Sequence, residues 1–470
     1  MPSRSLPSQV SVLIVGGGPT GLALACTLIN KGVPYSSVLI VDKESATHQE
    51  TRRYQSRATA IHSRTLECLE EGVDDSTSPS PTRPTDGEPL DLLPLDETIK
   101  STVQTILNRA RIVDTLRIRE PNQSKIILET SLSLLESETR YPFITVHPQG
   151  NTETVLEARL NTLGGQLQRE WSFESFTTDD ETKIGAPVKV KLLHISGEYA
   201  EVETTILVGA DGARSKVRTA SQIEFLGYSY PHTLALGDVK FKSPNWPYFM
   251  EEGWNGYEGS QFWGSNGWLL FIPLPDKSVR MVADFQPMSD LKTENKHGEY
   301  RKGPTQAELQ EFVNKRGPKV MSDDEPNKII EVKWSSTFQI SHRIAPSFIK
   351  GPVCLIGDSA HIHAPAGGQG MNIGVQDAVS LGITLSEFFH SSSTITDEST
   401  LMLTDKLNQW ASKRHEFATQ VLKLSDKLFR TITSRNWFFI WIRNLIYPIL
   451  AWFPKLIKKQ LKQIAGLNYR

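Results

Sequence analysis

Residues 10–42 constrain this chain more than any other stretch. The apolar run Val10–Val15 ends in Gly16-Gly17-Gly18-Pro19-Thr20-Gly21, an amphipathic stretch follows to about Lys31, and a second apolar run, Val38–Val41, delivers Asp42. This order reads as strand, glycine turn, helix, strand, acid. Gly16 suits a tight turn, Gly18 lets backbone approach a pyrophosphate, and Gly21 lets helix and strand pack closely. The free N–H groups and positive dipole end of the helix then face the phosphates. Asp42, followed by Lys43, lies about 20 residues past the turn, where a carboxylate can hold a ribose hydroxyl. The unit predicts a bound dinucleotide without choosing between FAD and NAD(P).

Composition removes several other classes. With 470 residues, 38% of them hydrophobic and 22% charged, the chain can bury a large core in two or three domains. A net charge of −2 gives no electrostatic footprint for nucleic acid. Cys26, Cys68 and Cys354 lie far apart with no CxxC, which argues against structural zinc or a disulfide framework and fits a reducing compartment. The start, MPSRSLPSQ, lacks the apolar core of a secretory signal, so the expected location is cytoplasmic.

The segment Asp74–Pro94 is rich in Ser, Pro and Thr and reads as an exposed loop. A β-rich patch follows near Lys125–Thr145. Residues 222–345 alternate short apolar runs with Gly and Pro, predicting a mostly antiparallel sheet. Its aromatics (Trp246, Tyr248, Phe249, Trp254, Phe262, Trp263, Trp268, Phe271) suit either a pocket for a flat ligand or ordinary sheet core. From Leu401 onward the pattern is helical. Trp437–Pro454 is the most apolar stretch, but Arg443, Asn444 and Pro448 interrupt it. Packed C-terminal helices, peripheral membrane contact and a spanning helix are all readings of it, the last disfavoured by a charge at mid-span.

Two further clusters narrow the ligand. Ile206–Arg218, ILVGADGARSKVR, runs an apolar strand into Asp211-Gly212, putting a carboxylate at the rim of a sheet. Val353–Ala378, VCLIGDSAHIHAPAGGQGMNIGVQDA, ends a strand in Gly357-Asp358, passes a Pro365–Gly370 loop and opens a helix near Met371-Asn372. Such a loop lets backbone press on a flat ring, and the helix start offers positive charge to an anion forming there. His361 and His363 lack metal-ligand spacing and read as loop structure, so no metal is expected.

The motifs GGGPTG (16–21), ADGARSKVR (210–218) and GDSAHIHAPAGGQGMN (357–372) together resemble the FAD-dependent class A monooxygenases, the aromatic-ring and phenol hydroxylases. RATAIHSRTLE (57–67) and YPFITVHPQGNTETVLEARL (141–160) are similar to its intervening segments. The resemblance implies an α/β fold: a Rossmann-like FAD-binding domain, a mostly antiparallel substrate sheet and C-terminal helices. It divides the chain into FAD-binding segments 1–94, 146–221 and 346–400, substrate-sheet segments 95–145 and 222–345, and a helical region 401–470. It implies that Gly16, Gly18, Pro19, Thr20, Gly21, Asp42 and Lys43 hold the ADP half of FAD. Arg57 and Gln149 would lie along its pyrophosphate and ribityl chain. Asp211 belongs to a motif linked to both FAD and NAD(P)H. Asp358 would hold the ribityl region, and Pro365, Gly368, Gly370, Met371 and Asn372 would meet the isoalloxazine.

In that family NADPH or NADH reduces the flavin, O2 adds at C4a, and the hydroperoxide passes one oxygen to an electron-rich substrate. The expectation is hydroxylation or epoxidation of an aromatic, phenolic or polyketide-like molecule in secondary metabolism. The alternatives are a dehydrogenase or reductase of a lipid-like substrate and a non-catalytic flavin-binding protein. Related phenol hydroxylases carry a catalytic carboxylate in the segment matching Arg57-Ala58-Thr59-Ala60-Ile61, where this chain has no acid. No catalytic acid or base stands out. The thioredoxin-like C-terminal domain that some larger relatives carry is not expected in this chain. Trp268–Pro273 only brushes against a flavin-halogenase signature.

Overall fold

The computed structural model describes residues 6–45, 58–77, 79–83, 99–121, 125–181, 183–243, 258–285, 301–318, 324–391 and 396–468. Arg57 and most of the Pro-rich segment fall outside them. Asp74, at the head of that segment, is buried and binds the start of the helix Thr102–Arg109, accepting from the Thr102 and Val103 amides at 2.5 and 3.2 Å. Its local composition reads as loop, but its carboxylate is spent on a helix end.

The first strand, Gln9–Val15, is buried through Val12, Leu13 and Ile14, as a central parallel strand must be. It pairs in parallel with Val38–Asp42 on one side and Tyr199–Gly209 on the other. Leu167–Arg169 and Val353–Leu355 extend the parallel core outward. Val188–His194 pairs antiparallel with Tyr199–Gly209, Trp171–Thr178 with Val188–His194, and Ile349–Lys350 with Val353–Leu355, which completes an eight-stranded sheet. The helices Pro19–Asn30 and Gly370–Ser391 pack together, and the main hydrophobic core fills the space between them and this sheet.

A second sheet of nine strands is built around the long strands Leu226–Phe241 and Ile329–Ile344. It is antiparallel except where Glu258–Gly264 runs parallel to Thr115–Arg119. Alternation along its strands divides the aromatics between two faces. Phe262, Leu269 and Phe271 pack with Phe312 of the helix Gln306–Arg316, while Trp263, Trp268 and Val282 share a cluster with Ala364 and Ala366. So Phe262 and Phe271 are ordinary sheet core, and Trp263 and Trp268 lie on the side of the Pro365–Gly370 loop. Trp246, Tyr248, Phe249 and Trp254 lie outside the described residues. The two sheets meet where His361–Ile362, just after the Gly357-Asp358 turn, pairs with Arg343 and Ile344.

Candidate flavin site

Three motifs separated by hundreds of residues converge because the parallel strands end level. Gly16 N–H donates to the Val41 carbonyl (2.8 Å), Ala210 N–H to Val15 (2.8 Å), and Ile356 N–H to Gly209 (3.1 Å). The glycine turn, Asp211 and Asp358 therefore sit side by side at the carboxyl edge of the sheet, where ligands bind in such folds.

The turn is specified by contact. Gly16 has φ +117°, and a Cβ there would meet the Ala210 carbonyl oxygen at 2.3 Å. A Cβ on Gly21 would stand 1.9 Å from the Gly16 carbonyl oxygen. Gly18 differs: a Cβ would meet nothing within 4 Å. It caps Pro19–Asn30 without a side-chain bond, and Pro19 sits in the first turn, where its missing N–H is harmless. Open space before an uncapped helix start is the cradle a pyrophosphate requires. Asp42 accepts the Gly17 and Glu44 amides at 2.6 and 2.8 Å, so its carboxylate also braces the turn, and Lys43 beside it is exposed.

Asp211 accepts the Lys216 and Val217 amides through Oδ2 at 2.7 and 3.2 Å. Its Oδ1 is buried with no partner among the described residues, and burial pushes its pKa up. Arg218 links this motif to the next by donating to the Ser359 carbonyl at 2.8 Å. Asp358 is exposed in the turn that follows Val353–Leu355. Thr20 lies beneath that turn, its Oγ1 2.8 Å from where a Gly357 Cβ would stand.

The Pro365–Gly370 loop leaves Pro365 and Gly368 exposed, Met371 half-buried and open space beside Gly370. Asn372 is buried and holds the loop from below. Its Nδ2 donates to the Ala60 and Gly368 carbonyls at 2.8 and 2.7 Å, and its Oδ1 accepts the His62 amide at 2.8 Å. The His62 ring bonds the Gly367 carbonyl at 2.7 Å, and burial lowers its pKa. Gln149 joins the same group: its amide donates to the Ala58 carbonyl at 3.0 Å and its side chain to Glu153 at 2.8 Å. Asn372 therefore acts on the loop backbone, with Gly368 exposed to solvent and open space beside Gly370.

One cluster went unseen at the level of sequence. Asp377, fully buried, accepts from Arg414 Nε (2.6 Å) and the Gly357 amide (3.1 Å) and pairs with His361 Nε2 (2.6 Å). Burial alone would raise its pKa, but Arg414 and His361 outweigh it and hold the carboxyl below its usual range. Asp377 fixes the Gly357-Asp358 turn from behind. Its only sequence signal is an acid in the apolar first half of the helix Gly370–Ser391, whose other acid, Glu387, lies near the far end. Among the described residues no group of three or more His, Cys, Asp or Glu could hold a metal.

The level strand ends, the uncapped helix start and the open loop define a dinucleotide-binding flavoprotein. The family model described as FAD binding domain matches residues 9–425, and the chain belongs to that family. FAD is its cofactor. The chain is 29% identical over 377 residues to pentachlorophenol 4-monooxygenase of Sphingobium chlorophenolicum, covering 80% of this chain and 58% of that protein. It is also 29% identical to anhydrotetracycline monooxygenase of Streptomyces rimosus, over 80% of this chain and 62% of the relative. The chain thus spans less than two thirds of the length of these relatives. The crystal structure of p-nitrophenol 4-monooxygenase from Pseudomonas putida DLL-E4 superposes with a TM-score of 0.74 at 20% identity, covering 98% of this chain and 99% of that one, and shows the shared fold.

Proposed function

We propose that this chain is an FAD-dependent monooxygenase that uses NADPH or NADH and O2 to hydroxylate or epoxidise an aromatic, phenolic or polyketide-like molecule. The observation that carries the reading is the joining of the glycine turn, the Asp211 and Asp358 motifs and the open Gly368–Gly370 loop at one sheet edge, beside the second sheet's Trp263 and Trp268. Relatives named pentachlorophenol 4-monooxygenase and anhydrotetracycline monooxygenase support it.

In this reading Gly16, Gly18, Pro19, Thr20 and Gly21 receive the pyrophosphate, Asp42 and Lys43 the adenosine ribose, and Arg57 and Gln149 the middle of the cofactor. Asp211 and Asp358 take hydroxyls, and Pro365, Gly368, Gly370, Met371 and Asn372 frame the ring. Segments 1–94, 146–221 and 346–400 form the flavin domain, 95–145 and 222–345 the substrate sheet, and 401–470 the helical region. Bound FAD supplies the redox chemistry and oxygen activation. The protein's own work is to orient the substrate, exclude water and place the start of the helix Gly370–Ser391 where negative charge develops on the ring. The C-terminal helices belong to the proposal as a peripheral membrane contact. The test is NAD(P)H oxidation by the purified yellow protein across phenolic and polyketide aromatics, with mass spectrometry of products. Stimulated oxidation with a gain of one oxygen is expected; a dehydrogenated product with no oxygen gain would favour the reductase-like alternative.

A further inference from the structure

The helix Trp437–Leu450 is turned inside out for a helix on a globular protein. Its one buried residue is Arg443, while Trp437, Trp441, Leu445 and Ile449, a row spaced by four, are 76, 58, 55 and 51% exposed. Arg443 sits inward because it stacks on the Trp263 ring (5.0 Å) and donates to the Trp263 carbonyl at 3.3 Å. The connection to the last helix adds Trp452 at 84% and Phe453 at 52%. The last helix, Pro454–Ile464, is anchored by Ile457 and Leu461, which pack against Leu132 and Leu135, and by Lys458 and Lys462, which pair with Glu138. That anchorage turns Lys455 and Lys459 outward, exposed and with no ion pair among the described residues. From residue 435 to 470 the sequence contains no Asp or Glu.

We propose that this face docks on an anionic lipid surface and that the enzyme takes an apolar substrate from it, an inference that rests on the membrane contact proposed above. Exposed Trp and Phe with a fringe of lysines fit the interfacial zone of a bilayer, where indole rings lie at headgroup depth and lysines meet lipid phosphates. A 14-residue helix is about 21 Å long, short of the roughly 30 Å hydrocarbon core, so it lies in the interface. No helix among the described residues is long and apolar enough to cross a membrane. A second copy fits less well, because a two-fold contact sets the same lysines against each other. Docking reaches the flavin site through two joints. Tyr447 packs edge-on against Trp263 at 5.6 Å, in the cluster that includes Ala364 and Ala366. Gln369 of the flavin loop donates to the carbonyls of Gln463 and Ile464 at 3.4 and 3.2 Å.

The holoenzyme is sedimented with vesicles of phosphatidylcholine alone or with about one quarter phosphatidylserine. Binding to the anionic vesicles is expected, with a blue shift of tryptophan emission. Lys455→Gln with Lys459→Gln should lower partitioning roughly 25-fold, about fivefold per lysine. Trp437→Gln, Trp441→Gln and Trp452→Gln together should abolish binding while the flavin spectrum stays unchanged, since all three side chains face solvent. Wild-type protein left in the supernatant, binding that the tryptophan triple variant keeps, or a dimer in light scattering that this variant dissociates without any vesicle binding would each overturn the proposal. Binding is read without turnover, so loss of the oxygenase reading would leave a separate signature: vesicle binding intact and no oxygenated product.

Discussion

Asp377→Asn removes one charge and almost no volume from the fully buried group behind the Gly357-Asp358 turn. Asp377 satisfies Arg414, His361 and the Gly357 amide together, with the Asp377 and Arg414 side chains 0% and 6% exposed. Solvent screening is therefore slight. An asparagine oxygen can accept from Arg414 or serve the His361 side, and in either case the guanidinium keeps its charge without a counter-charge. Breaking one partner of a buried pair costs about 3–5 kcal/mol, and the lower figure applies here because an acceptor remains. The contribution has a pH signature. A carboxyl held below its usual range stabilises the fold above the unfolded pKa of about 3.9 and loses that contribution as pH falls through the lowered folded value. Urea unfolding at pH 7 should show a loss of about 3 kcal/mol, and flavin-fluorescence titration should show weaker FAD binding as the turn relaxes. Arg414→Met in the Asp377→Asn background should recover part of the loss, giving a coupling of at least about 1 kcal/mol. A single variant within about 0.5 kcal/mol of wild type, or strictly additive variants, would refute the role given to Asp377.

Gly21→Ala places a Cβ 1.9 Å from the Gly16 carbonyl oxygen, so the turn must open, and FAD occupancy after purification should fall sharply; absorbance of the purified protein reads it. Asp358→Ala, at an exposed position, should weaken FAD retention at an unchanged melting temperature, measured by dialysis against the wild type. Asn372→Ala frees three bonded groups beneath the flavin loop and should cost about 2–3 kcal/mol in denaturant unfolding. Burial holds the His147 pKa down to about 3, so below pH 6.5 the unfolded chain takes up a proton that the fold refuses. At pH 5 this amounts to about 2 kcal/mol lost relative to pH 8, and His147→Gln should flatten that part of the pH dependence.

The glycine turn was legible because its geometry is local: strand, turn, helix and acid follow one another within a few dozen residues, and Gly16 and Gly21 each answer a steric demand. The antiparallel character of residues 222–345 was legible from alternation, but not which aromatic faces the loop, since that depends on register between distant strands. His361 reads as loop structure, and nothing in the sequence ties it to Asp377 or Arg414; only the packing of two helices and a turn makes them one group. The helix Trp437–Leu450 differs most. Apolar residues are expected inward, yet Trp263 offers a carbonyl and a ring that hold Arg443, and the apolar row is left facing out.

In the proposed function, the assembled glycine turn, Asp358 turn and open loop hold FAD for oxygen insertion. Its most direct test is a single reaction of the purified protein with NADPH, a stimulating phenolic or polyketide substrate and isotopically heavy O2, read by mass spectrometry. A yellow protein and a product carrying one heavy oxygen atom are expected. A protein purified without a flavin spectrum, or a product whose added oxygen comes from water, would contradict it.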